Sequence, residues 1–333
     1  MKDKSFYFIG NILETDIELP IHINYGYELK KANSNQIKII KTRLELIQQA
    51  TQLFPININP YESEFIKSEK DNSYLIKHPK NTNQWKYWII ELDCYVDDFE
   101  KQSENISKNI KIIDSALLVS ESNIQLLWGF LHYRINEIKV DVDGISSQSY
   151  RPLNFFKSLS IVNPKTTLIN TANLNEIQQL TNLIEKLFSN DKYLTIRKII
   201  DDLINFYEIP PKSPYRIIGL FSILEYLLTT FDSGKSINKQ LQTKLNLLNN
   251  RFSEKLNVSE FFKISTETKF EKIIEKLYAY RSDIAHGNNI DFEKKLQILN
   301  NNELVENFLL TMVKRTIKQS LFEPDLILDL KKC

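Results

Sequence analysis

Glycine is scarce in this chain, with 7 of its 333 residues, about 2% against a usual ~7% in soluble proteins. So little glycine argues against glycine-rich nucleotide-binding loops and against β-barrels with many turns, and it favours helices. The two cysteines, Cys94 and Cys333, are too few for a disulfide framework or for a zinc site without other ligands. No apolar run approaches the ~18 residues of a membrane span, so we expect a cytoplasmic protein with no membrane partner.

Metal and cofactor sites also lack support in the sequence. The chain has four histidines, and no spacing of His, Cys, Asp and Glu is typical of metal ligands. Residues 234–236 read Gly-Lys-Ser, like the end of a P-loop, but Thr229 stands where that loop requires its first glycine. We therefore expect neither a bound metal ion nor a cofactor.

The charge of the chain is nearly balanced. Its 43 Lys and Arg against 42 Asp and Glu leave a formal net charge of +1, so no overall positive field collects polyanions. The hydrophobic share of 42% is high enough for packed cores and excludes a mostly disordered chain. At ~150 residues a domain, the length predicts about two domains.

The two halves of the sequence differ in pattern, and together they predict an α+β fold. Residues 1–165 are expected to form a mixed α+β domain, with strands over 5–13, 17–29, 85–96 and the later part of 124–142, and helices over 35–54 and 105–119. Residues 166–333 are expected to form an all-α bundle because their connections are short. Its predicted helices are 175–188, 194–207, 215–230, 237–252, 269–285, 292–300 and 303–322.

The end of the predicted helix 269–285 carries the most informative motif. On a helical wheel, four apolar residues fall within about 60° and form a buried stripe: Ile273, Leu277, Tyr280 and Ile284. Arg281 lies on the flank of this stripe, whereas Ser282 and His286 lie on the far side. His286 is therefore either a functional residue or a solvated histidine favoured by the helix dipole.

This segment, Tyr278-x-x-Arg281-Ser282-x-Ile284-x-His286-Gly287, resembles the R-x4-6-H motif of the HEPN superfamily and is most similar to its ApeA-like branch, which acts in abortive phage infection. The resemblance covers residues 170–320, including an earlier helix with Glu225 that resembles the acidic helix of the family. Ser282 stands where the superfamily often has Asn or Asp. Asn288 stands where HEPN proteins that accept AMP have a tyrosine, which disfavours that antitoxin mechanism.

The resemblance implies a metal-independent endoribonuclease that acts as a homodimer, with the motifs of two protomers in one cleft. RNA supplies its own nucleophile, the 2′-OH. His286 would then transfer protons and Arg281 would stabilise charge on the phosphorane, with Ser282 as the polar residue beside it. Glu225 would orient Arg281 or His286; the alternative is a solvated carboxylate. The implied biological role is growth arrest, as a toxin or as an effector of antiviral defence.

The substrate is expected to be RNA, including tRNA or another structured RNA. Residues 233–253 contain four basic residues and no acid, namely Lys235, Lys239, Lys244 and Arg251. They form either a solvated helix face or a track for the RNA backbone, with Tyr278 as a further contact. The near-neutral total suits a looped RNA that is recognised locally.

Residues 1–165 resemble no family, and we expect this domain to sense or restrain, with a phage-derived trigger or a regulatory protein as its partner. The alternative function for the chain is a non-catalytic HEPN module that dimerises or binds RNA within a larger defence complex. The presence of both Arg281 and His286 favours catalysis, because a binding module does not need that pair.

Overall fold

A computed structural model of the chain describes residues 2–41, 64–67, 74–77, 84–85, 87–95, 99–122, 124, 126, 131–134, 166–210, 212–231, 234–263 and 268–333. Contacts between residues divide the chain into two compact units, Met1–Asn182 and Leu183–Cys333. The division falls inside the helix Thr171–Phe188. The domain boundary expected between residues 165 and 166 stays a prediction of the sequence.

The described part of the first unit contains ten strands. They are β1 (Lys2–Ile9), β2 (Ile12–Thr15), β3 (Ile21–His22), β4 (Glu28–Lys31), β5 (Glu64–Lys67), β6 (Tyr74–Lys77), β7 (Gln84–Trp85), β8 (Trp88–Tyr95), β9 (Leu131–Arg134) and β10 (Thr166–Ile169). In the largest sheet the described strands are antiparallel and follow the order β3-β4-β8-β1-β9. β2 pairs in parallel with β10 and antiparallel with β7, and β5 pairs with β6.

One long helix, α1 (Phe99–Val119), contributes to the core of this unit. Its apolar residues recur at helical spacing and lie in one buried cluster with Tyr7 and Ile9 of β1: Ile106, Ile110, Ile113 and Leu117. The predicted helix 105–119 is confirmed, as part of α1, and the predicted strand 85–96 is confirmed over β8, Trp88–Tyr95. Residues 34–41 are helical, and the rest of the predicted helix 35–54 lies outside the described residues, as do residues 135–142 of the predicted strand.

The second unit is helical. Its helices are α2 (Thr171–Phe188, which begins in the first unit), α3 (Leu194–Phe206), α4 (Tyr215–Leu228), α5 (Ile237–Asn249), α6 (Phe270–Ala285), α7 (Asn302–Phe322) and α8 (Pro324–Lys332). None of the described helices in either unit combines the length and the hydropathy needed to cross a membrane.

Helix α4 is the centre of this unit, in contact with α3, α5, α6, α7 and α8. It is apolar on most of its circumference, as expected of a buried helix, and its Ile217, Leu220, Phe221 and Leu224 are fully buried. Near its beginning, the buried Arg216 donates from Nε to Glu306 Oε1 of α7 at 2.7 Å. Glu225 lies on the partly buried side of this central helix.

The fold is α+β, as predicted, and one helix of the prediction is wrong. Residues 292–300 form turns and a short 3-10 helix, Gln297–Leu299. The Asp291 carboxylate accepts the backbone N–H groups of Glu293 and Lys294, both at 2.9 Å, and Asn300 with φ 60° ends the segment. Side-chain bonds to the local backbone thus replace the helical bonds. The sequence also failed to predict strands β5, β6 and β10 and helix α8. The predicted strand 17–29 is interrupted by a 3-10 helix, Asn24–Gly26.

Candidate active site around Arg281 and His286

The R-x4-H motif lies at the C-terminal end of helix α6. The predicted stripe is buried, with Ile273 and Leu277 0%, Tyr280 1% and Ile284 9% exposed. Arg281 and Ser282 are partly buried, and His286 is exposed. The helical period therefore places the apolar residues in the core and leaves His286 at the surface, where a substrate can reach it.

A Schellman motif closes the helix around His286, which is its capping residue. Gly287 adopts φ 65° and donates its N–H to Ile284 O at 3.2 Å. The N–H of Asn288 reaches back to Asp283 O at 2.9 Å. These two bonds define the motif, which needs a residue in the left-handed region after the cap. They fix the backbone on either side of His286.

A buried carboxylate, Asp283, reinforces this helix end. It is 4% exposed; its Oδ2 accepts from Lys295 Nζ at 2.6 Å and its Oδ1 accepts from Asn288 Nδ2 at 3.1 Å. The hydrogen bond from Lys295, with smaller contributions from Asn288 and the charge of His286, lowers the pKa of Asp283. Asp283 could not be predicted from the sequence, because its partner Lys295 lies in the segment wrongly predicted as a helix.

Arg281 joins helix α6 to helix α4. Its Nη2 donates to Glu225 Oε2 at 3.3 Å. The guanidinium carbon lies 5.7 Å from the ring centroid of Tyr278, and that ring meets Phe221 edge-on at 5.9 Å. Of the two partners predicted for Glu225, the structure pairs it with Arg281. Tyr278, predicted as an RNA contact, packs between the guanidinium and the core.

The pairing of Arg281 with Glu225 is incomplete. Glu225 Oε1 and Arg281 Nε are both buried and have no hydrogen-bond partner among the described residues. Burial raises the pKa of Glu225, and the nearby Arg281 opposes that shift. A guanidinium carries five N–H donors. The single bond to Glu225 therefore leaves Arg281 with N–H groups that can donate hydrogen bonds to a phosphate.

The predicted basic track of residues 233–253 is exposed only in part. Lys235, Lys239 and Arg251 are exposed, and Arg251 donates from Nε to Glu323 Oε2 at 3.0 Å. The charge of Arg251 is therefore already paired with the carboxylate of Glu323.

The position of Lys244 contradicts the prediction that it belongs to this track. It is 4% exposed because it lies on the inner side of α5, beside Leu241 and Leu245. Its Nζ donates to Leu228 O at 2.8 Å and to Lys331 O at 3.2 Å, and burial lowers its pKa. The expectation that Lys244 faces an RNA backbone is therefore wrong; it is bonded to the end of helix α4 instead.

Two of the other histidines, His22 and His132, lie on strands of the largest sheet of the first unit. His22 is exposed, with Nδ1 3.5 Å from Glu28 Oε1, and His132 lies on β9 opposite Ser5. His78 is outside the described residues. In the part of the chain that the structure describes, no group of three or more His, Cys, Asp or Glu residues is arranged to hold a metal ion.

No protein-family model, no curated protein and no solved structure matches this chain. Its function is therefore inferred from the residues of the site and from the resemblance of the motif.

Proposed function

We propose that this protein is a metal-independent endoribonuclease of the HEPN type, in which Arg281 and His286 act on a phosphodiester of RNA. The observation that carries the proposal is the arrangement at the end of α6. Arg281 is held by Glu225 of the central helix, and His286 is exposed at a helix end that a Schellman motif and Asp283 make rigid.

The chemistry needs no group beyond these side chains and the RNA. A neutral His286 accepts the proton of the 2′-OH, and the 2′ oxygen attacks the adjacent phosphorus. The bond from phosphorus to the 5′ oxygen breaks, and that oxygen takes up a proton from an acid. Arg281 donates hydrogen bonds to the phosphorane oxygens, where negative charge increases. The products end in a 2′,3′-cyclic phosphate and a 5′-OH.

The acid is a second copy of His286, supplied by a dimer partner. No other histidine lies in the helical half, since His22, His78 and His132 all precede residue 166. His286 and Ser282 lie outside the buried stripe of α6, so a twofold contact along this helix does not disturb the core. Dimers with twofold symmetry are the commonest oligomers.

For the cell, we propose that cleavage arrests growth, as a toxin or as an effector of abortive phage infection. Residues 1–165 would restrain the nuclease until a trigger binds. This role follows from the resemblance of the motif to the ApeA-like branch and not from any contact described above.

The test is cleavage of RNA by the purified protein in excess EDTA. We expect the wild type to cleave, and His286→Ala and Arg281→Ala to lose about 10²-fold or more of the rate, the scale of positioned proton transfer. His22→Ala is the matched control, because it removes an exposed histidine far from the motif in sequence, and it should keep full activity.

The melting temperature of each variant separates chemistry from folding. His286 is exposed, so its replacement by alanine should leave the melting temperature nearly unchanged. Loss of cleavage in EDTA with recovery in Mg²⁺ would contradict the mechanism. Binding of RNA without cleavage by the wild type would favour the non-catalytic HEPN module.

A further inference from the structure

Two lysines from distant parts of the chain meet at one tyrosine on the central helix. The Nζ of Lys198, on α3, lies 4.1 Å from the ring centroid of Tyr226, and the Nζ of Lys331, on α8, lies 4.5 Å from it. Tyr226 is 37% exposed, although most of α4 is buried. Lys198 is exposed and Lys331 is partly buried, so the exposed side of Tyr226 gives a ligand access to this pair.

The geometry of Lys331 is fixed by the end of helix α4. Its Nζ donates to Tyr226 O at 2.6 Å, and its own backbone carbonyl accepts from Lys244 Nζ at 3.2 Å. Tyr226 O belongs to the last turn of α4, whose carbonyls have no partner within the helix. An ammonium has three donors, so Lys331 keeps two for another acceptor.

The two ammonium groups carry charge of the same sign and influence each other. Burial and the charge of Lys198 lower the pKa of Lys331, so the two cations oppose each other. The acids of α8 pair with other lysines, Asp325 with Lys192 at 2.8 Å and Asp329 with Lys332 at 3.3 Å. Within the described ranges, no salt bridge of 4.0 Å or less joins Lys198 or Lys331 to a carboxylate, although Asp202, one turn along α3, interacts with Lys198 at longer range.

We propose that Lys198 and Lys331 form a phosphate-binding subsite for the backbone of the RNA substrate. A phosphodiester that contacts both ammonium groups offsets their mutual repulsion and accepts hydrogen bonds from their remaining N–H groups. The subsite rests on the proposed function, because its ligand is the RNA that the proposed active site cleaves. Tyr226 directly follows Glu225 on α4, about 100° further around the helix, so an RNA strand that crosses α4 meets both.

The experiment measures RNA binding by the full chain carrying His286→Ala, which keeps the RNA intact. A short fluorescein-labelled single-stranded RNA is titrated at several salt concentrations. The test variant adds Lys198→Met and Lys331→Met, which keep most of each side chain. The matched control adds Lys186→Met and Lys255→Met, which remove the same charge from two other exposed positions. A third variant places arginine at 198 and 331.

We expect the methionine pair at 198 and 331 to bind about tenfold more weakly and to lower the salt slope by about 0.7 for each lost phosphate contact. The control pair should change affinity less than about twofold, and the arginine pair should restore binding, because it restores the charge.

Three results would overturn the subsite. Equal weakening by the control pair would mean that only net charge matters. A lower melting temperature with unchanged RNA affinity would mean that the lysines serve only to cap α4. Failure of the arginine pair to restore binding would exclude a role of the charge. If the His286→Ala protein with all its lysines does not bind RNA, the proposed function fails and the subsite fails with it.

Discussion

At the scale of single residues, Glu225 and Asp283 are two carboxyl groups of one site with opposite environments. Burial raises the pKa of Glu225, whereas the hydrogen bond from Lys295 lowers the pKa of Asp283. Only Glu225 was predicted from the sequence, since it lies on a helix that resembles the acidic helix of HEPN proteins. Asp283 was not, because its role depends on a turn that brings Lys295 back to α6.

These directions predict opposite effects of pH on stability. When the pKa of a carboxyl group is higher in the folded than in the unfolded protein, the group contributes stability at pH values below its unfolded pKa of ~4.3. This contribution is lost as the pH rises through the pKa of the folded protein. The difference in the free energy of unfolding between the wild type and Glu225→Gln should therefore fall as pH rises above ~4.3. Urea denaturation of both proteins at a series of pH values measures it.

Asp283→Asn is the matched comparison for that experiment. A carboxyl whose folded pKa is lowered contributes stability above its unfolded pKa of ~3.9 and loses it as pH falls through the folded pKa. The difference between the wild type and Asp283→Asn should therefore rise with pH over the acidic range. The same sign of slope for both substitutions would contradict the environments described here.

At the scale of elements, the C-terminal end of α6 determines where His286 lies. Its apolar stripe could be predicted from the sequence because burial follows the helical period. The segment that follows could not, because residues 292–300 also show helical spacing. The Asp291 carboxylate bonds to the backbone at the start of this segment, and Asn300 adopts a positive φ at its end. These local features favour turns over the helix that the spacing predicts.

Gly287→Ala tests whether this helix end positions His286 for activity. Gly287 has φ 65°, and no atom lies within 4 Å of a Cβ added there. The substitution should therefore lower the free energy of unfolding by about 1 kcal/mol, through backbone strain alone. Gly234→Ala is the control, since Gly234 has φ 68° and equally open space. We expect a similar loss of stability in both, measured by urea denaturation, and a loss of RNA cleavage only in Gly287→Ala. Equal activities would show that the cap has no role in catalysis.

At the scale of the whole molecule, the second unit collects its site from elements that are far apart in sequence. Glu225 and Arg281 are 56 residues apart, and the lysines at Tyr226 come from α3 and α8. From the sequence, the basic residues of 233–253 were expected to form either a solvated helix face or an RNA track. Lys244 fits neither, because a charge count does not reveal which side of α5 is buried. Side chains brought together by tertiary packing could not be found from local patterns.

The proposed dimer predicts how mixed dimers behave. If each active centre needs His286 from both chains, a heterodimer of wild type and His286→Ala should keep far less than half of the wild-type rate. Purified heterodimers with different tags on the two chains measure this directly, and a heterodimer with His22→Ala is the control. A heterodimer with half or more of wild-type activity would mean that each chain carries a complete site.

The chemistry of the new RNA ends tests the central claim most directly. Purified wild-type protein is incubated with RNA in EDTA, and the products are treated with an enzyme that opens cyclic phosphates and then sequenced. We predict 2′,3′-cyclic phosphate and 5′-OH ends from the wild type and none above background from His286→Ala. Products that end in 3′-OH and 5′-phosphate, or the same ends from both proteins, would contradict catalysis by Arg281 and His286.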